Sequence, residues 1–139
     1  MNFDFATKIL AFILLCIVAV WDMKHHRIPN ALVIAFFLLG LVRMFFLKDY
    51  ASCLIGIVFP SVVLFALRIY KNEIVGFGDI KIVMAVGLFY GYLTSCIIVF
   101  IALTMLCIYA PFYKMFGNKS DAICFGPFLA LASLLGFVL

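Results

Sequence analysis

The sequence predicts an all-α, polytopic integral membrane protein of about six transmembrane helices, with residues 1–139 forming a single transmembrane domain. Three observations lead there. The chain is 69% hydrophobic and only 12% charged, where soluble domains are about half apolar and a quarter charged. Its apolar residues come in runs near the 20 or so that span a bilayer as a helix, parted by short polar turns. Alternating strand patterns are absent, and in lipid the backbone must satisfy its own hydrogen bonds, which favours helices.

The first span is expected at 3–21, broken only by Asp4 and Lys8 near its outer end. Trp21-Asp22-Met23-Lys24 follows it where a small-residue cleavage site would stand in a signal peptide, so this span should remain in the mature chain. The second is expected at 28–47. Pro29 is acceptable in its first turn, where N–H groups lack helical partners, and Arg43 near the far end is expected to snorkel toward the headgroups. Lys48-Asp49-Tyr50 makes a short turn into a third span at 50–67, which Pro60 should kink. A polar loop, 68–73, leads to Gly76-Phe77-Gly78-Asp79-Ile80-Lys81.

The run 82–113 carries no charge over 32 residues. As one helix it would be about 48 Å long against a hydrocarbon core of about 30 Å, so it should fold back at Tyr90-Gly91-Tyr92. That makes a short fourth span, about 80–90 or starting before Asp79, and a fifth at 93–112. After a polar turn at 113–121, Phe125-Gly126-Pro127-Phe128 reads as a bend at the start of a sixth span, 122–139.

Six spans put the loops after spans one, three and five on one side. Of ten Lys/Arg residues, that side holds seven (Lys24, Arg27, Arg68, Lys71, Lys81, Lys114, Lys119) and the other three (Lys8, Arg43, Lys48). The positive-inside bias makes the first side cytoplasmic. Asp22 and Asp79 both fall there at the membrane surface, although 56 residues separate them.

An ionisable residue at the edge of a bilayer is a functional candidate whose partner must be named. Two carboxylates held together share one proton near neutral pH. The ionised one can take a proton from water and the protonated one can donate to a peptide carbonyl, which is general acid–base hydrolysis without metal or cofactor. Gly76 and Gly78 allow unusual backbone angles and close approach, and Asp79 would face the unpaired N–H groups of a helix start. The structural alternatives are that Asp79 only caps its helix, that Lys81 and Arg27 anchor helices to headgroups, and that Asn30 caps the second span. The five cysteines form no CxxC pair and read as apolar packing residues. His25-His26 lies among Lys24 and Arg27, which would repel a metal cation. The net charge of +4 is too small and too dispersed for nucleic-acid binding.

Gly76-Phe77-Gly78-Asp79 matches the GxGD motif of intramembrane aspartic proteases, and with Ile80-Lys81 it resembles the GxGDxK form of type IV prepilin peptidases. Asp22 followed by Arg27-Ile28-Pro29-Asn30 resembles their first motif, and Phe125-Gly126-Pro127-Phe128-Leu129-Ala130 their closing segment. The resemblance covers nearly the whole chain. It implies a multi-pass enzyme of the cytoplasmic membrane that removes the cytoplasmic leader of prepilins or pseudopilins after a glycine, with Asp22 and Asp79 as the catalytic pair. Longer members carry an N-terminal segment with paired CxxC motifs linked to N-methylation. This chain is similar instead to the short form found with tight-adherence (Flp) pili. Two alternatives stand beside this reading. One is a protease of the presenilin or signal-peptide-peptidase type, though those place the first aspartate in a Tyr-Asp pair inside a helix. The other is a non-enzymatic small transporter or assembly subunit, which would line a path with polar residues that these spans lack.

Overall fold

The computed structural model describes residues 2–70, 76–116 and 123–137, and all secondary structure among them is helical. The elements are α1 (Asn2–His25), α2 (Asn30–Leu47), α3 (Tyr50–Tyr70), α4 (Phe77–Tyr90), α5 (Tyr92–Phe116) and α6 (Gly126–Ser133), the last continuing as a 3-10 turn over Leu134–Phe137. Among the described residues, four helices are long and apolar enough to cross a membrane: Asp4–His25, Asn30–Leu47, Tyr50–Tyr70 and Tyr92–Tyr113. The polar segments expected at 71–73 and 117–121 lie outside the described residues, as do the first residue and both ends of the expected sixth span.

The short fourth helix is the centre of the bundle. It does start before Asp79, and nine of its 14 residues are buried. Beyond Lys81 its sequence is apolar on every face, the pattern of a helix surrounded by other helices. It packs against α2, α3 and α5, while α6 joins α1 to α5. Phe36 of α2, Leu64 of α3, Val83 and Phe89 of α4, Ile98 and Leu106 of α5, Leu15 of α1 and Leu129 of α6 meet in one core. The outward faces carry large exposed apolar side chains such as Phe45, Phe46, Leu93, Phe100 and Ile108, the surface a lipid solvent requires. Sheathed by protein, α4 need not match the bilayer thickness.

Two glycine contacts set the spacing of α3 and α4. Pro60 has no N–H, so the Gly56 carbonyl one turn earlier loses its helical donor. That carbonyl faces Gly87 of α4, where an added Cβ would collide with it, and a Cβ on Gly56 would lie 2.6 Å from the Gly87 carbonyl oxygen. Small residues at such a crossing let backbones meet, as is usual between membrane helices. The fold-back falls at Gly91, as chain length required. Its φ of +78° is left-handed, and a Cβ there would stand 2.8 Å from Ser52 Oγ, which accepts the Tyr92 N–H at 3.1 Å.

Arg43 does not snorkel. It is 8% exposed, its Nη1 donates to the Phe89 carbonyl at 2.9 Å, its Nη2 lies 3.2 Å from Asp4 Oδ1, and its guanidinium carbon sits 4.5 Å from the Phe89 ring centre. The last carbonyls of α4 lack helical donors, and a cation there is favoured by the helix dipole. A partner inside the bundle thus outcompetes the headgroups. The sixth span also departs from expectation. Among the described residues it is an eight-residue helix plus a 3-10 turn, begun by Gly126-Pro127 after a bend at Phe125, and shorter than the expected 122–139 helix.

Candidate active site

The end of α1, the end of α3, the start of α4 and the segment before α6 lie at one end of the bundle. Asp22 sits within the last turn of α1, since that helix runs on to His25 instead of ending at Trp21. Asp79 is in the first turn of α4. Both aspartates are buried, 5% and 7% exposed, and they are near enough to interact electrostatically. Topology alone predicts that they share a membrane face, and the folded chain brings the two within electrostatic reach of each other.

Each carboxylate receives a backbone N–H. Gly76 N donates to Asp79 Oδ2 at 2.8 Å, so Asp79 caps its own helix while the Asp22 charge reaches it. Gly126 N donates to Asp22 Oδ2 at 3.0 Å from the start of α6. The Gly126 backbone can come so close only without a side chain, because a Cβ there would lie 3.0 Å from Asp22 Oδ2 and 3.3 Å from the Ala19 Cα.

The supporting motif residues divide. Gly76 is the N-cap of α4 with ordinary extended angles, φ −77° and ψ 159°, and Gly91 is the only described glycine with positive φ. The expectation of unusual backbone angles at Gly76 and Gly78 is therefore wrong. Gly78 serves close approach instead, since a Cβ there would sit 3.3 Å from Ile28 Cβ. Pro29 is the N-cap of α2, and its carbonyl accepts Leu32 N at 3.1 Å. Asn30 is the first residue inside that helix and caps nothing, because a proline with extended angles already holds the cap position. Its Oδ1 accepts Lys81 Nζ at 3.1 Å, tying the second helix start to the fourth. Arg27 is exposed at the rim.

Three residues that sequence reasoning left aside also gather here. Arg68, at the end of α3, places its guanidinium carbon 3.5 Å from the centre of the Phe77 ring, and its charge reaches Asp79. His26 Nδ1 lies 3.1 Å from Cys124 Sγ, and Cys124 Sγ lies 3.4 Å from the Asp22 carbonyl oxygen. Cys124 is thus not a plain apolar packing residue. Burial, with Asp22 and Asp79 nearby, pushes its thiol up to about 11, so it is a neutral S–H at physiological pH. The usable signal was position: Cys124 is two residues before Gly126 in the closing motif, and His26 is one turn beyond Asp22.

The fold and this end of it define a class: a polytopic helical membrane protein with a buried, hydrogen-bonded acidic site where its helices end. The model of the type IV leader peptidase family matches residues 9–111, and the chain belongs to that family, which makes it a peptidase. No curated protein and no solved structure matches it. Family membership removes the non-enzymatic alternative. Residues 123–130, which supply the Gly126 N–H, lie beyond the matched segment.

Proposed function

We propose that this peptidase is an aspartic endopeptidase that removes the leader of type IV or Flp prepilins or pseudopilins, with Asp22 and Asp79 activating the attacking water. The observation that carries it is the convergence of two buried carboxylates from distant segments at one end of the bundle, in a chain of the leader peptidase family. One carboxylate, ionised, takes a proton from water as it attacks the scissile carbonyl. The other, protonated, hydrogen-bonds that carbonyl and stabilises the tetrahedral oxyanion. Collapse of this intermediate returns a proton to the leaving amine. The N–H groups of Gly76 and Gly126 hold the two carboxylates in register so that no helix has to rearrange during proton transfer.

The site faces the cytoplasm in this reading. Arg43 is buried and does not report on loop charge, so the Lys/Arg balance becomes seven against two in favour of the Asp22–Asp79 end. A substrate whose leader is cytoplasmic and whose helix lies in the bilayer then presents its glycine-ended leader junction at the depth of the carboxylates. The test uses purified protein in liposomes with a prepilin-type peptide carrying a leader, a glycine and an apolar helix. Asp22→Asn and Asp79→Asn should each reduce cleavage at least 1,000-fold, on the order seen when an essential member of a catalytic unit is removed, while the protein inserts normally. Full processing by either variant refutes the assignment.

A further inference from the structure

Asp22 has a structural problem that a mid-helix residue would not have. It stands in the last turn of α1, where helices fray, yet the proposed chemistry needs its carboxylate held to a fraction of an ångström. What holds it comes from outside α1. After His25 the chain turns through His26 at φ 51°, a left-handed conformation that is strained for a non-glycine residue. Such a residue persists when its surroundings hold it. Here the His26 N–H donates to the Asp22 carbonyl at 2.8 Å, and the ring meets Cys124 at 3.1 Å.

The hydrogen count at Cys124 is informative. A thiol has one proton, and Sγ makes two polar contacts, to His26 Nδ1 and to the Asp22 carbonyl oxygen. The carbonyl can only accept, so the S–H donates to it. Sγ must then accept from His26, which requires a proton on Nδ1. The resulting chain runs from His26 Nδ1–H to Cys124 Sγ and from Cys124 S–H to Asp22. Two residues further on, the Gly126 N–H reaches the Asp22 carboxylate. The segment 124–126 therefore grips Asp22 twice, at its backbone and at its side chain.

We propose that Cys124 and His26 form a latch that positions Asp22: the thiol–imidazole contact fixes segment 124–126 against the end of α1, so that the Gly126 N–H meets the carboxylate. Both are positioning residues and neither touches substrate. The proposal rests on the reading of Asp22 as half of the catalytic pair.

The test compares Cys124→Ala, Cys124→Ser and His26→Gly with Asp22→Asn in the liposome cleavage assay. Cys124→Ala should lower kcat about tenfold, the equivalent of one modest hydrogen bond, with KM within twofold. Cys124→Ser, which keeps a donor, should recover most of the loss. His26→Gly relaxes the left-handed turn, so a matching fall in its kcat comes from the missing ring and not from backbone strain. It also serves where Cys124→Ala does not fold. Equal loss in the Ser and Ala variants, a change confined to KM, or wild-type kcat in His26→Gly overturns the latch. If Asp22→Asn is inactive while these variants are normal, the catalytic pair stands without the latch. An active Asp22→Asn removes both.

Discussion

Gly126→Ala should be the most informative single change. The added Cβ would lie 3.0 Å from Asp22 Oδ2, 3.1 Å from Asp22 Cβ and 3.3 Å from the Ala19 Cα. Carbon atoms in ordinary contact stand about 3.5–4.0 Å apart. The Ala19 contact is backbone within a helix and cannot yield easily, so the Asp22 side chain and the start of α6 must separate by several tenths of an ångström. That separation stretches the 3.0 Å bond from Gly126 N to Asp22 Oδ2. A hydrogen bond to a charged group contributes about 1.5–3 kcal/mol, and about 1.4 kcal/mol is a factor of ten in rate. If the bond acts in full in the transition state, kcat falls roughly 10- to 100-fold. KM should stay near wild type, because no substrate contact is altered. Alanine suits a first helical turn better than glycine does, so helix α6 itself should persist. The assay is cleavage of the leader peptide by protein in liposomes, with the thermal midpoint measured in parallel. A folded Gly126→Ala protein with kcat within twofold of wild type would refute the idea that this N–H holds Asp22 for reaction.

Two further predictions concern packing and titration. Gly87→Ala drives a Cβ into the Gly56 carbonyl with backbone on both sides, so it should destabilise the bundle by about 1–3 kcal/mol, read as a lower thermal midpoint in detergent; an unchanged midpoint would mean that α3 and α4 can separate freely. Cys124, with its thiol pushed up to about 11, loses its proton only at high pH. In a chain whose four other cysteines are alanine, alkylation by iodoacetamide at pH 8 should be about 200-fold slower than for a free thiol and rise roughly tenfold per pH unit. Mass spectrometry over time checks this, and free-thiol reactivity at pH 8 would contradict the half-buried setting near two aspartates.

What the sequence determined by itself follows from the bilayer as solvent. Apolar runs near 20 residues have one stable state in lipid, and they appear as α1, α2, α3 and α5. The arithmetic of an overlong apolar run required a break, and Gly91 supplies it with the one positive φ among the described glycines. The parity of crossings put Asp22 and Asp79 at the same end without knowledge of any contact. Side-chain partnerships were decided only by tertiary structure, because each depends on which distant segment arrives. Hydropathy assigned Arg43 to the headgroups, yet α4 brings the Phe89 carbonyl to it from 46 residues away. Local rules made Asn30 a helix cap, yet Lys81 claims its side chain across 51 residues. The length of α4 and α6 depended on protein neighbours in place of lipid. The grip on Asp22 spans 102 and 104 residues, from Cys124 and Gly126. A local pattern can state that a carboxylate needs a partner; only the packed helices determine which backbone N–H reaches it.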